Sequence, residues 1–185
     1  MLTQKATTIN DLTPAFCLFV FKTNSTDSIY TKIILPYLKR LSNLKEARWS
    51  RDKAKQWPHT FDNVDRFVMF VGFPRSSHSL VGSLLDAHPE ACIAHEMDVL
   101  KYVMANFSQQ QLFHILLANA MQTGQQGREQ TGYSYQVPGQ YQGQYTTLRI
   151  IGDKRGGNSS RRLQAHPRLL PKLKNTIDVP YGLSI

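Results

Sequence analysis

The chain has 185 residues, 41% of them hydrophobic and 19% charged, which excludes the low-hydrophobicity, high-charge composition of a sequence that cannot bury a core. Its 22 Lys and Arg against 13 Asp and Glu leave a formal charge of +9, which predisposes the surface to anions: a nucleotide, an acidic or sulfated glycan, nucleic acid or a lipid headgroup. Cys17 and Cys92 lie in separate apolar runs with neither a disulfide framework nor a metal-ligand spacing, and read as buried thiols.

The first apolar run, Ala15 to Phe21, is far shorter than the ~20 residues a membrane span needs, so no transmembrane segment is expected. It follows Asp11 where a signal peptide would carry positive charge. Asn24, Asn106 and Asn158 each open a glycosylation-type triplet, which signifies only in a secreted chain. Between Tyr30 and Leu44, Ile33, Ile34, Tyr37, Leu38 and Leu41 recur at helical spacing among basic residues, with Pro36 marking a kink or a helix start. Arg48 to Trp57 reads as a basic loop ending at Pro58. Residues 1–65 are therefore expected as an extension, and residues 66–185 as the main domain.

From Phe67 the pattern becomes α/β. Phe67 to Val71 is a continuous apolar run closed by Gly72 and Pro74, the signature of a strand buried on both faces of a parallel sheet. A helix follows near Ser79, with Leu80, Val81, Leu84 and Leu85 as its buried stripe and His88-Pro89 as its end. Ala91 to Ala94 is the second strand, and Glu96 lies just past it. Helices are expected over 98–106 and 108–122, the latter opened by a Ser108/Gln111 capping box. The Gly-, Gln- and Tyr-rich stretch after Thr123 reads as a long functional loop. Thr147 to Ile151 is the third strand, and a basic helix begins at Asn158 or Ser159. Arg161, Arg162, Arg168, Lys172 and Lys174 read as a solvated basic face rather than a dedicated glycan site.

A buried strand, a Gly/Pro/Ser turn and a helix start together aim backbone N–H groups and a helix dipole at a bound anion. The nucleotide loop G-x-x-x-x-G-K-[ST] is only partly present, because Ser77 replaces the second glycine and His78 the lysine. Arg75 supplies a cation earlier in the turn, and Ser76, Ser77 and Ser79 add hydroxyl donors suited to phosphate or sulfate oxygens.

The run Gly72-Phe73-Pro74-Arg75-Ser76-Ser77-His78-Ser79-Leu80 resembles the 5′-phosphosulfate loop, G-x-P-[KR]-S-G-[TH]-[TS], of sulfotransferases that use 3′-phosphoadenosine 5′-phosphosulfate (PAPS). Leu84 to Pro89, Val137 to Gln140, and Ile151-Gly152-Asp153-Lys154-Arg155-Gly156-Gly157 are similar to further segments of that family. The resemblance implies a three-layer α/β domain of P-loop type around a central parallel sheet. It implies PAPS as sulfuryl donor, no metal, and a hydroxyl-bearing acceptor on a carbohydrate, protein tyrosine or small molecule. Arg75, Ser76, Ser77, His78 and Ser79 then hold the 5′-phosphosulfate, Glu96 is the catalytic base and Lys154 stabilises the transferring group. Sulfuryl transfer resembles phosphoryl transfer in needing positioned cations and N–H donors.

Glu96 also reads as a helix-start carboxylate, and Lys154 as a structural ion-pair partner; His78 and His95 rank behind Glu96 as bases. Serine at 77 departs from the family glycine, at a cost of roughly 1–2 kcal/mol where that position needs φ > 0. The family's R-x-P-x-x-x-x-x-S segment for the 3′-phosphate has no counterpart up to Ile185, so the domain is expected to be incomplete at its C-terminus, a fragment or a shortened isoform. Two other readings follow: a P-loop kinase or other nucleotide-binding enzyme, opposed by the missing lysine, and a catalytically inactive anion-binding protein. No specific nucleic-acid partner is expected. The absence of a legible signal or anchor tilts the expected compartment to the cytosol over the Golgi lumen.

Overall fold

The computed structural model describes residues 35–130, 132–179 and 181–184, with side chains over 43–129 and 132–179. The Ala15 to Phe21 run, Cys17, the Asn24 triplet, Ile33 and Ile34 lie outside the described residues. The chain divides into two units, 1–48 and 49–185. Of the first, the described part is the start of helix α1, Leu35–Gln56, with Pro36 in its first turn, where a missing N–H costs nothing. The same helix runs on through residues 49–56, so the basic loop expected over 48–57 is helical down to Gln56.

The second unit is an α/β domain. Four parallel strands stand in the order β2-β5-β1-β6: β1 is Arg66–Phe70, β2 Ala91–His95, β5 Ile150–Lys154 and β6 Tyr181–Ser184. Helix α2 (His78–Asp86) links β1 to β2, and α3 (Val99–Met104) and α4 (Gln109–Gln125) lead from β2 towards β5. Helices α5 (Gly156–Ala165) and α6 (Leu169–Thr176) link β5 to β6. The first connection runs across the sheet in one direction and the other two in the opposite direction. Right-handed crossovers therefore put α2 on one face and α3 to α6 on the other. The packing of α3 against both α4 and α6 agrees with this three-layer arrangement.

The core is apolar, as the runs require. Phe67, Met69 and Phe70 of β1, Ala91 to Ala94 of β2, Ile151 of β5, and Leu112, Phe113 and Leu116 of α4 are buried. Each large one contributes ~1.5–3 kcal/mol on leaving water. Residues 49–65 add Phe61, which meets Phe113 edge-on at 5.4 Å, and Val64. The expected capping box opens α4: Gln111 N donates to Ser108 Oγ at 3.4 Å and Ser108 N donates to Gln111 Oε1 at 3.1 Å.

Three details differ from the sequence reading. Strand β5 starts three residues later than expected and takes in Gly152, Asp153 and Lys154. Gly152 fits because a Cβ there would lie 2.5 Å from Val68 O, and the two charged residues find partners at the strand end. Helix α5 accordingly starts at Gly156, before Asn158. The polar stretch after Thr123, most of it exposed, is nonetheless pinned: it holds a small hairpin, β3 (Glu129–Gln130) with β4 (Tyr133–Ser134), and buries Arg128 and Gln142.

The third difference is helix α2, whose expected inner stripe faces outward. Leu80, Val81, Leu84 and Leu85 are 49, 41, 54 and 37% exposed, while Gly82, Ser83 and Asp86 are buried. The polar face is inward because each polar group has a partner there. Ser83 Oγ donates to Tyr135 O and accepts from Gln142 Nε2 at 2.6 Å. Asp86 Oδ2 lies 2.5 Å from Arg128 Nη2, with both side chains fully buried. This ion pair seals the outer edge of β2, since Ile93 N donates to Asp86 Oδ1 at 2.6 Å and Ile93 O accepts from Arg128 Nη2 at 2.7 Å. His95 N donates to Asn119 Oδ1 at 2.6 Å, one step further along the same edge.

Candidate functional site

The carboxyl ends of β1, β2 and β5 meet at one end of the sheet, where open α/β sheets bind ligands. After β1 the chain turns through Val71 to Ser77 and enters α2 at His78. Arg75 at φ 64° and Ser77 at φ 58° are both left-handed, and Ser77 is the N-cap of α2 without a side-chain capping bond. Position 77 thus makes a conformational demand that glycine would meet freely and serine meets at a cost of ~1–2 kcal/mol.

Helix α5 braces this loop from the side. Ser160 Oγ accepts from Gly72 N at 2.8 Å and donates to Gly72 O at 2.7 Å. A Cβ on Gly157 would lie 2.8 Å from Pro74 Cδ, and one on Gly156, at φ 34°, would lie 2.6 Å from His78 Nε2. The two glycines let α5 press directly against the 72–79 segment.

Lys154, the last residue of β5, has a fully buried side chain, and its Nζ joins the loop to the end of β2. It donates to Glu96 Oε1 at 2.6 Å and Ser79 Oγ at 2.9 Å, with His95 Nε2 at 3.5 Å. Burial pulls its ammonium below the usual lysine range, and the contact with Glu96 works against that. Glu96 itself is left-handed at φ 58°, with its side chain 26% exposed. Arg155 Nη1 donates to Glu96 O at 2.8 Å and lies 3.1 Å from Glu96 Oε2, so a different cation holds each carboxylate oxygen.

His78 stands between loop and carboxylate, its Nδ1 3.3 Å from Ser76 Oγ and its Nε2 4.0 Å from Glu96 Oε1. Burial, then the charge of Lys154, lower its pKa from 6.5 against the opposing pull of Glu96, so the neutral imidazole prevails at pH 7.

Of the residues expected at the site, His78, Ser79, Glu96 and Lys154 converge. Ser76 and Ser77 are exposed on the loop. Arg75 is exposed as well, with no ion-pair or hydrogen-bond partner among the described residues. Sequence reading missed Asp153, Arg155 and Ser160. Asp153 is fully buried and accepts from Met97 N at 3.2 Å and Val99 N at 2.6 Å, which fixes the turn that carries Glu96. The signal was the run Asp153-Lys154-Arg155, three consecutive charged residues each of which has a partner between 96 and 99.

Cys92 is fully buried and its thiol is pushed up by burial. Of the basic face, Arg162 pairs with Asp98, and Lys172 Nζ donates to Asn106 Oδ1 at 2.6 Å, while Arg161 and Arg168 are exposed. Among the described residues no group of His, Cys, Asp and Glu is placed to hold a metal ion, and no helix is long and apolar enough to cross a membrane. Comparison of the chain with protein-family models, curated proteins and solved structures finds no match.

Proposed function

We propose that the chain is a PAPS-dependent sulfotransferase domain that binds the donor's phosphosulfate on the 72–79 loop and transfers the sulfuryl group to a hydroxyl acceptor. The observation that carries this reading is Lys154 Nζ, 2.9 Å from Ser79 Oγ of the loop and 2.6 Å from Glu96 Oε1. One buried cation from a third strand end lies between an anion-loop hydroxyl and a carboxylate. It also supplies the charge that the nucleotide loop lacks at position 78.

The residues fit an anionic donor by the chemistry of their donor set. Free N–H groups at the start of α2, the hydroxyls of Ser76, Ser77 and Ser79, the Lys154 ammonium and the unpaired Arg75 guanidinium all favour phosphate and sulfate oxygens. In the transfer, the acceptor oxygen forms a new S–O bond as the S–O bond to the donor's 5′-phosphate breaks. The electron pair leaves on that phosphate oxygen, and the hydroxyl proton passes to Glu96. Lys154 and Arg75 stabilise charge on the peripheral and leaving oxygens, the contribution fixed cations make to such in-line displacements.

The test is a thermal-shift titration of the full chain with PAP (the desulfated donor), PAPS and ATP with Mg²⁺, beside Arg75→Ala and Lys154→Ala. PAP or PAPS should raise Tm by several degrees, and each variant should weaken the apparent affinity at least tenfold. Stabilisation by ATP with Mg²⁺ alone would favour a kinase-type enzyme. No shift with any of the three, in a sample that melts cooperatively, would remove the donor site from the reading.

A further inference from the structure

Glu96 has both carboxylate oxygens engaged by cations, an awkward state for a group that must accept a proton. The two cations are not equivalent. Lys154 Nζ, on Oε1, also donates to Ser79 Oγ in the first turn of α2, beside the loop. Among the described residues Arg155 makes no hydrogen bond or ion pair to residues 72–79; its Nη1 serves Glu96 Oε2 and the Glu96 carbonyl. The other side of its guanidinium is anchored too, because the Asn158 side-chain oxygen, in the amide orientation that satisfies both groups, accepts from Nε at 3.2 Å and Nη2 at 2.9 Å.

We propose that Arg155 is a positioning residue that locks Glu96 by its Oε2 and carbonyl oxygen, so that Oε1 is the oxygen offered to the acceptor hydroxyl once a loop-bound anion draws Lys154 towards itself. This deepens the sulfotransferase reading and rests on it for the role of Oε1; the lock itself does not depend on that reading. Anion binding and exposure of the base are then one event. The acceptor's proton has an open oxygen to go to only when a donor occupies the loop. Three features make arginine the fitting residue. Its fork reaches Glu96 and Asn158 at once, which a lysine ammonium cannot do with the same geometry. It follows Lys154 directly at the end of a buried strand, so the two cations are held in fixed register on one carboxylate. Glu96 is held in a left-handed conformation that a non-glycine residue leaves readily, so it requires a clamp.

The test compares the full-length chain with Arg155→Ala, Arg155→Lys and Asn158→Ala. Three measurements are made: PAP affinity, sulfuryl transfer from PAPS to a simple phenol, and amide hydrogen exchange of residues 96–99. PAP affinity should stay within about twofold of the parent in all three variants. In Arg155→Ala, kcat should fall roughly 30-fold or more with KM little changed; Arg155→Lys should recover part of the loss, and Asn158→Ala should fall between the parent and Arg155→Ala. Exchange at Glu96 and Met97 should accelerate about tenfold in Arg155→Ala, with the 72–79 loop unaffected. A loss of PAP affinity equal to the loss of turnover would overturn the proposal, because Arg155 would then serve the donor site. Unchanged exchange at 96–99 in Arg155→Ala would overturn it whether or not the chain transfers sulfate. A parent that neither binds PAP nor turns over but shows the exchange effect would overturn the sulfotransferase reading and the role given to Oε1, while supporting the lock.

Discussion

Two carboxylates near β2, one at each end of a short stretch of sheet edge, meet arginine in opposite ways. Asp86 and Arg128 are sealed, both fully buried, and their further contacts go to backbone, that of Ile93 and, for Asp86, also that of Gly143. Glu96 is shared between Lys154 and Arg155 and keeps a quarter of its side chain open to solvent. The sealed pair finishes a strand edge, a structural task that tolerates no vacancy. The open cluster contains a lysine whose partners include a loop hydroxyl, so its contacts are exchangeable. Burial with a single charge partner suits an architectural task, and partial exposure with two cations suits the catalytic role proposed for Glu96.

The comparison breaks most visibly at Arg128. Arg128→Ala leaves Asp86 buried without its cation and Ile93 O without a donor, and should cost about 3–5 kcal/mol, read as a lower urea midpoint and increased aggregation through the opened β2 edge. Replacing both members by apolar residues of similar volume should recover part of that loss.

Asp153 sharpens the contrast from a third position, as a sealed carboxyl group that forms no ion pair among the described residues. Burial pushes it up to about 7, against the N–H groups of Val99 and Met97, and the charges of Asp98 and Glu96 add to the rise. Its folded-state pKa is raised above the unfolded value, so the folded chain holds its proton while the unfolded chain releases it, and stability falls as pH rises from about 4 to 7. Asp153→Asn should flatten the Tm profile across that window. The smallest expected effect is at Ser77. Ser77→Gly should relieve the left-handed strain by ~1 kcal/mol and tighten PAP binding severalfold by calorimetry, without touching either cluster.

The strands were legible because they are short apolar runs closed by turn residues: Phe67 to Val71 and Ala91 to Ala94 lie within a residue of β1 and β2. The α4 start was legible because a capping box is local. The strand-loop-helix order around 67–86, with Arg75, Glu96 and Lys154 at or just past strand ends, followed from the same local signals. What escaped was whatever depended on distant partners. Periodicity sent Leu80, Val81, Leu84 and Leu85 inward, but Ser83 and Asp86 claim the inner face through Gln142 and Arg128, which lie 59 and 42 residues away and carry no local mark. Polar composition made the 124–146 stretch look open, although single buried groups such as Arg128 pin it. The β5 register was missed because Gly152-Asp153-Lys154 looks like a turn until Met97, Val99, Glu96 and Ser79 are there to receive it.

The strand order has a consequence for synthesis. Both neighbours of β1 come from the far part of the chain, Ile150–Lys154 on one side and Tyr181–Ser184 on the other. Between Phe70 and Ile150 the ribosome must add about 80 residues, which at ~5–20 residues per second takes ~4–16 s. Throughout that interval the apolar strand at the centre of the sheet has no strand to pair with. Expression at low temperature, or with chaperones that shield nascent apolar segments, therefore acts on the step at which this sequence is most exposed.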